Sequence, residues 1–127
     1  MKKFSAFVPM VFVWFALFLN GNAYADFPSK PIKFIVYTNP GGVIDVSARK
    51  LAIELEHLGI QYPVVVENRK GAGGMVAIQH VLRQPADGHT VLALTSSVVS
   101  KAIESHNEGR LRELEMLVRL VDDYECL

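Results

Sequence analysis

Cysteine is almost absent from this chain: among 127 residues only Cys126 occurs, so no disulfide can form within it. That lone thiol has no Cys/His cluster around it, which argues for an incidental side chain and against a nucleophile. Histidine is scarce and scattered. His57, His80, His89 and His106 form no i,i+3 or i,i+4 pair, so neither a structural nor a catalytic zinc site finds support. An excess of charge of either sign is missing too, with 13 Lys+Arg against 13 Asp+Glu. This excludes a strongly basic nucleic-acid binder and leaves no large field to steer a charged partner. There is no phosphate-binding G-x-x-x-x-G-K-[ST] run, no G-x-S-x-G elbow, no internal repeat and no low-complexity stretch.

What is present begins with a leader. Lys2 and Lys3 form a short positive start, residues 7–19 are an apolar run, and Ala23 and Ala25 supply the two small residues that fit a signal peptidase. Cleavage before Asp26 is expected, because the apolar run is shorter than the roughly 17–25 residues that span a bilayer. No later stretch approaches that length. The expected organisation is a signal peptide over residues 1–25 and an exported, periplasmic chain over 26–127. Setting the leader aside leaves 11 basic and 13 acidic side chains on 102 residues, the size of one small domain.

The mature chain alternates between two periods. Residues 27–31 carry two prolines and read as extended. Residues 32–37 form an apolar strand, and the run 38–42, with Pro40, Gly41 and Gly42, breaks it. Ile44, Ala48, Leu51, Ala52, Leu55 and Leu58 then recur at helical spacing up to Gly59. Residues 63–67 read as a second strand, apolar enough to be covered on both faces. A loop over 68–74 leads to a helix over 75–84, a turn at 85–88 and a third strand at 90–94, followed by Thr95, Ser96 and Ser97. Strand, helix, strand, helix, strand with short connections is a parallel α/β pattern. Beyond residue 97 two alternatives stay open. Leu111, Leu114, Leu117, Val118 and Val121 have helical spacing, yet residues 116–121 suit a fourth strand equally well.

In an open parallel sheet the loops at the carboxyl ends of the strands converge on one edge, where ligands bind. Three loops qualify: 38–42, 68–74 and 95–97. Two are glycine-rich, which lets backbone amides and helix N-termini approach an anion, and the third offers hydroxyls. Asp45 and Arg49 lie four apart in the first helix. They are either an ordinary surface pair or a brace for the Gly41–Gly42 turn. A dinucleotide fingerprint is a poor alternative, since the run from Gly71 to Gly74 has Val76 where its third glycine belongs. Glu54 with Glu56, and Glu113 with Glu115, read as solvated faces. No nucleophile–base pair is evident, so no enzyme is expected.

Taken together, several short runs resemble the Bug family of periplasmic solute-binding proteins, the receptors of tripartite tricarboxylate transporters. They are FPSKPI at 27–32, PGG at 40–42 with Asp45, Ala48 and Arg49, VVVENR at 64–69, GAGG at 71–74, DGHT at 87–90, and Thr95 with Ser96. The resemblance implies a type II periplasmic binding protein fold, an open and mostly parallel sheet flanked by helices, of which this chain would be an incomplete first domain. The family is much longer, and the second domain lies outside the sequence. The resemblance also implies a small carboxylate ligand held by backbone amides of the 38–42 loop and by groups of the 95–97 loop, partly through water. The ligand-binding residues it points to are Thr38, Gly41, Gly42, Asp45, Thr95, Ser96 and Ser97. It implies no cofactor, and delivery of the solute to membrane components of the transporter. It favours a strand at 116–121. Lys70, Met75, Ala77, Ser97 and Asn39 depart from the family's usual residues. The alternative reading is a small exported protein with a structural or partner-binding role and no ligand.

Overall fold

The computed structural model describes residues 27–120. The leader, its cleavage point before Asp26, and Val121 and Cys126 lie outside the described residues. At the centre stands β1, Ile32–Val36, whose β-branched and aromatic side chains suit a strand with both faces packed. Ile35 and Val36 are fully buried. Strands β2, Val64–Asn68, and β3, Thr90–Ala93, pair with β1 on either side, both parallel, giving the order β2-β1-β3. The fold class is α/β, as the alternating pattern predicts.

Helix α1, Val43–His57, links β1 to β2, and helix α2, Met75–Leu82, links β2 to β3. Parallel crossovers are right-handed as a rule, so stepping out to β2 and then back past β1 to β3 places the two helices on opposite faces. The core divides accordingly. One cluster joins Ile32, Val64 and Ala52 with Phe34, Leu55 and Val66; the other joins Met75, Ile78, Val98, Ala102 and Leu111 with Tyr37 and Leu92.

Helix α1 ends where the sequence suggests. Gly59, at φ +84°, donates to Glu56, and Ile60 donates to Leu55 at 3.3 Å, the paired reverse bonds of a Schellman stop. At the same, amino end of the parallel sheet the extended segment before β1 is tied down. The Ser29 amide donates to His89 Nε2 at 3.1 Å, Lys30 pairs with Asp87 at 2.6 Å, and Phe27 lies against the His89 ring.

Three sequence expectations need correction. Strand β2 is not covered on both faces: Val65 is 42% exposed, and beside it Glu67 pairs with Lys33 and Arg69. The second-face helices crowd over β1 and β3 and leave β2 open there. Residues 96 and 97, read as loop, and 98–104, left unassigned by the sequence, form helix α3, Ser96–Glu104, which buries Val98 and Ala102 and is followed by the short α4, Glu108–Arg112. The fourth strand is absent from the described part of 116–121. Residues 115–120 carry no regular structure, and Met116, Leu117, Val118 and Leu120 are exposed, since no strand edge lies alongside to pair with them.

Candidate functional site

The strand order fixes where a site can form. The chain leaves the carboxyl end of β1 toward one face of the sheet and the carboxyl end of β3 toward the other, so a crevice opens between the 38–42 and 95–97 loops. A helix starts on each side. Helix α1 has Gly42 as its N-cap and α3 has Thr95, and neither cap contributes a side-chain hydrogen bond. The first α1 amide with an acceptor in its own turn is that of Val46, donating to Gly42 at 2.9 Å, so the amides of Val43, Ile44 and Asp45 lead the helix without one. In α3 the Val98 amide donates to Thr95, which leaves those of Ser96 and Ser97 at the front. Two helix N-termini thus bring partial positive charge to one sheet edge.

The glycine amides, by contrast, are already engaged. The Gly41 amide donates to Asp45 Oδ2 at 2.8 Å and the Gly42 amide donates to Asn39 at 3.2 Å. An anion at this edge therefore meets the amides that follow Gly42. Glycine at 42 fits a close approach, since a Cβ there would stand 3.3 Å from both Thr38 Oγ1 and the Asn39 carbonyl, so its neighbours would have to give by a few tenths of an ångström. The Thr38 hydroxyl oxygen is buried and has no hydrogen-bond partner among the described residues.

Asp45 is 2% exposed, and its carboxylate accepts from four donors: the Gly41 amide, Arg49 Nε and Nη2 at 3.0 Å each, and Asn68 Nδ2 at 2.8 Å. Of the two readings of the Asp45–Arg49 pair, the geometry is that of a brace for the turn. The fork of Arg49, with the Gly41 and Asn68 donors behind it, holds the Asp45 carboxyl well below the usual carboxylate range. Arg49 is spent on this pairing and offers the crevice no free cation.

The opposite wall carries hydroxyls. Tyr37, just past β1, lies 2.5 Å from Thr95 Oγ1 and 3.3 Å from Ser97 Oγ, and those two oxygens are 2.7 Å apart. Three hydroxyls in mutual contact have three donors to distribute, and the 3.3 Å contact is the weakest to exchange for a ligand. The Ser96 side chain is exposed beside them.

The seven residues singled out from the sequence therefore fall on two loop–helix junctions, 38–45 and 95–97, at the carboxyl edge of the sheet. The third loop does not join them as a ligand cradle. A Cβ at Gly73 would stand 2.5 Å from Lys101 Cγ, and one at Gly74 would stand 3.0 Å from both Val98 methyls, so these glycines serve the seating of α3. Two residues at the site escaped sequence reasoning, Tyr37 and Asn68. Each was read as part of a strand or loop, and only strand pairing brings them in; a polar side chain at a strand's carboxyl end was the available signal. Among the described residues no group of three or more His, Cys, Asp or Glu could hold a metal ion.

Comparison with known proteins completes the picture. The chain is 45% identical over 78 residues to a UPF0065 protein of Bordetella pertussis and 45% identical over 71 residues to Protein BugT of the same organism. These matches cover 60% and 56% of this chain but 24% and 22% of the relatives, so the chain spans about a quarter of their length. Among solved structures, the periplasmic binding protein BugD matches 52% of this chain and 22% of its own, at 39% identity and a TM-score of 0.47. An R. palustris protein, Rpa4515, solved with adipate, matches 53% and 22%, at 37% identity and a TM-score of 0.48. The family described as "Tripartite tricarboxylate transporter family receptor" matches residues 47–119, more than half of the sequence, and the chain belongs to it.

Proposed function

We propose that this chain carries half of the binding crevice of an exported solute receptor, which captures a small carboxylate and delivers it to the membrane components of a tripartite transporter. One observation supports this above the rest: two helices without side-chain caps begin on either side of the β1/β3 switch point, beside a buried Thr38 hydroxyl that has no partner among the described residues. Helix-end amides and hydroxyls suit a carboxylate, and they can hold one without a basic patch. Thr38, Gly41, Gly42 and Asp45 form one wall, with Asp45 and the glycines shaping the turn that presents the α1 amides. Thr95, Ser96 and Ser97 lie across from them within the same half. The role is capture and release without chemistry at the ligand. Adipate, bound to Rpa4515, sets the size class to try first.

Isothermal titration of the exported chain against adipate, citrate and glutamate tests the proposal, alongside the same titration of a longer relative. Binding of a carboxylate by both is the expected result. Failure of both would overturn the proposal in favour of a structural or partner-binding role. N-terminal sequencing of the same periplasmic preparation should begin at Asp26, and an intact Met1 in the membrane fraction would overturn the assignment of a cleaved leader.

A further inference from the structure

The proposed anion loop owes its shape to a residue that does not belong to it. Asn68 is the last residue of β2 and lies in register with Val36, beside the point where β1 leaves the sheet. The Arg69 amide extends the ladder by one bond to the Val36 carbonyl at 2.7 Å and so fixes the backbone that carries Asn68. From there the side-chain amide reaches both ends of the loop. Its Nδ2 donates to the Thr38 carbonyl at 3.1 Å and to Asp45 Oδ1 at 2.8 Å, and its Oδ1 accepts from Arg49 Nη2 at 3.2 Å. The chemistry of the partners dictates that orientation: a carbonyl and a carboxylate need a donor, and a guanidinium needs an acceptor. Asp45 in turn takes the Gly41 amide, at the residue whose φ of +82° makes the turn.

We propose that Asn68 is a positioning residue for the carboxylate site: by clamping Thr38 and Asp45 together it holds the 38–42 turn in its binding shape before any ligand arrives. The inference rests on the carboxylate-receptor reading, yet the clamp itself can be measured without a ligand. No other residue type does this work at position 68. Aspartate would set a second carboxylate against the first and remove the donor, and glutamine would be one methylene too long for the same three bonds. A loop fixed in advance loses less freedom on binding, which is the route by which a residue remote from the ligand affects affinity.

The test uses the whole chain, its Asn68→Ala variant and its isosteric Asn68→Asp variant. Amide hydrogen exchange by NMR reads the Gly41 amide against the amides of β1, and titration with adipate and citrate reads affinity. In the unsubstituted chain Gly41 should be protected. In both variants at pH 7 its protection factor should fall at least tenfold while the β1 amides keep theirs, and affinity for the bound probe should fall at least tenfold. In Asn68→Asp the Gly41 protection should return as the pH is lowered toward 4, because the introduced carboxyl regains a proton it can donate to Asp45. A role in packing alone would not produce that pH profile. Unchanged Gly41 protection in both variants would overturn the clamp. So would loss of protection throughout β1, which would make Asn68 a support of the whole fold. Lost Gly41 protection with unchanged affinity would overturn the positioning role. If the unsubstituted chain binds neither probe while Gly41 responds as described, the carboxylate reading fails and the clamp stands.

Discussion

At the scale of single residues, the site sets buried polar groups that are satisfied against one that is not. The Thr38 hydroxyl is buried without a partner, and an unpaired polar atom costs the folded state about 1–3 kcal/mol. Thr38→Val keeps the shape and exchanges only that hydroxyl for a methyl group. Its melting temperature should stay level or rise, while carboxylate affinity falls about tenfold, the worth of one hydrogen bond to a charged group; a lower melting temperature with unchanged affinity would refute this. Two carboxylates make the opposite case. The Asp45 carboxyl is held below its ordinary pKa of 3.8 first by Arg49, and the Asp87 carboxyl first by Lys30 and then by the His89 amide. A folded-state pKa below the unfolded one gives stability that is complete above the unfolded value and is lost as pH falls toward the folded value. These two groups should therefore leave stability flat from pH 7 to about 5 and erode it below about 4. His80 adds a shallower loss that begins near 6.5, because burial lowers its pKa and the unfolded chain takes up the proton first. Thermal melts from pH 7 to 2.5 check both windows. Asp45→Asn and Asp87→Asn should each flatten the acid limb, and His80→Gln should remove the shallow one.

At the scale of elements, legibility followed the range of the forces involved. Helix α1 could be read because Ala48, Leu51, Ala52 and Leu55 repeat at 3.6-residue spacing and Gly59 stops them, all within one local window. Helix α3 could not, although Thr95 is a good N-cap residue. The β-branched pair Val98 and Val99 among serines reads as strand or loop until Val98 and Ala102 are seen buried against α2. The Asp45–Arg49 brace was legible as an i,i+4 pair, whereas Asn68 enters the site only through the β1–β2 register, which no local pattern contains. Glycines show the same division. At Gly59, φ is +84° and a Cβ would meet nothing within 4 Å, so Gly59→Ala should cost only backbone strain, about 1–2 kcal/mol. Gly74 has φ +97° and Val98 methyls 3.0 Å from the same point, so Gly74→Ala should cost about 1–3 kcal/mol more through clash with α3. Chemical denaturation of the two variants would compare them directly, and equal losses would contradict the seating of α3 on this turn.

At the scale of the whole molecule, the three-stranded sheet carries an unpaired outer edge on both β2 and β3 among the described residues, and one face of β2 is open. Exposed apolar surface gathers past α4, where Met116, Leu117, Val118 and Leu120 are 65–74% exposed. Contiguous apolar surface in water favours association, and near-balanced charge provides little repulsion to oppose it. These four side chains make no part of either core cluster, so they add little to the stability of the monomer. Replacing Met116, Leu117, Val118 and Leu120 together by serine should therefore leave the unfolding free energy within about 1 kcal/mol, the sum of small surface effects. The unsubstituted chain should show a concentration-dependent rise in sedimentation coefficient, and the same change should abolish it. If the substituted chain unfolds at markedly lower denaturant, the run packs onto the fold and its exposure is misread. If both chains sediment as monomers at every concentration, the apolar run is not what drives association.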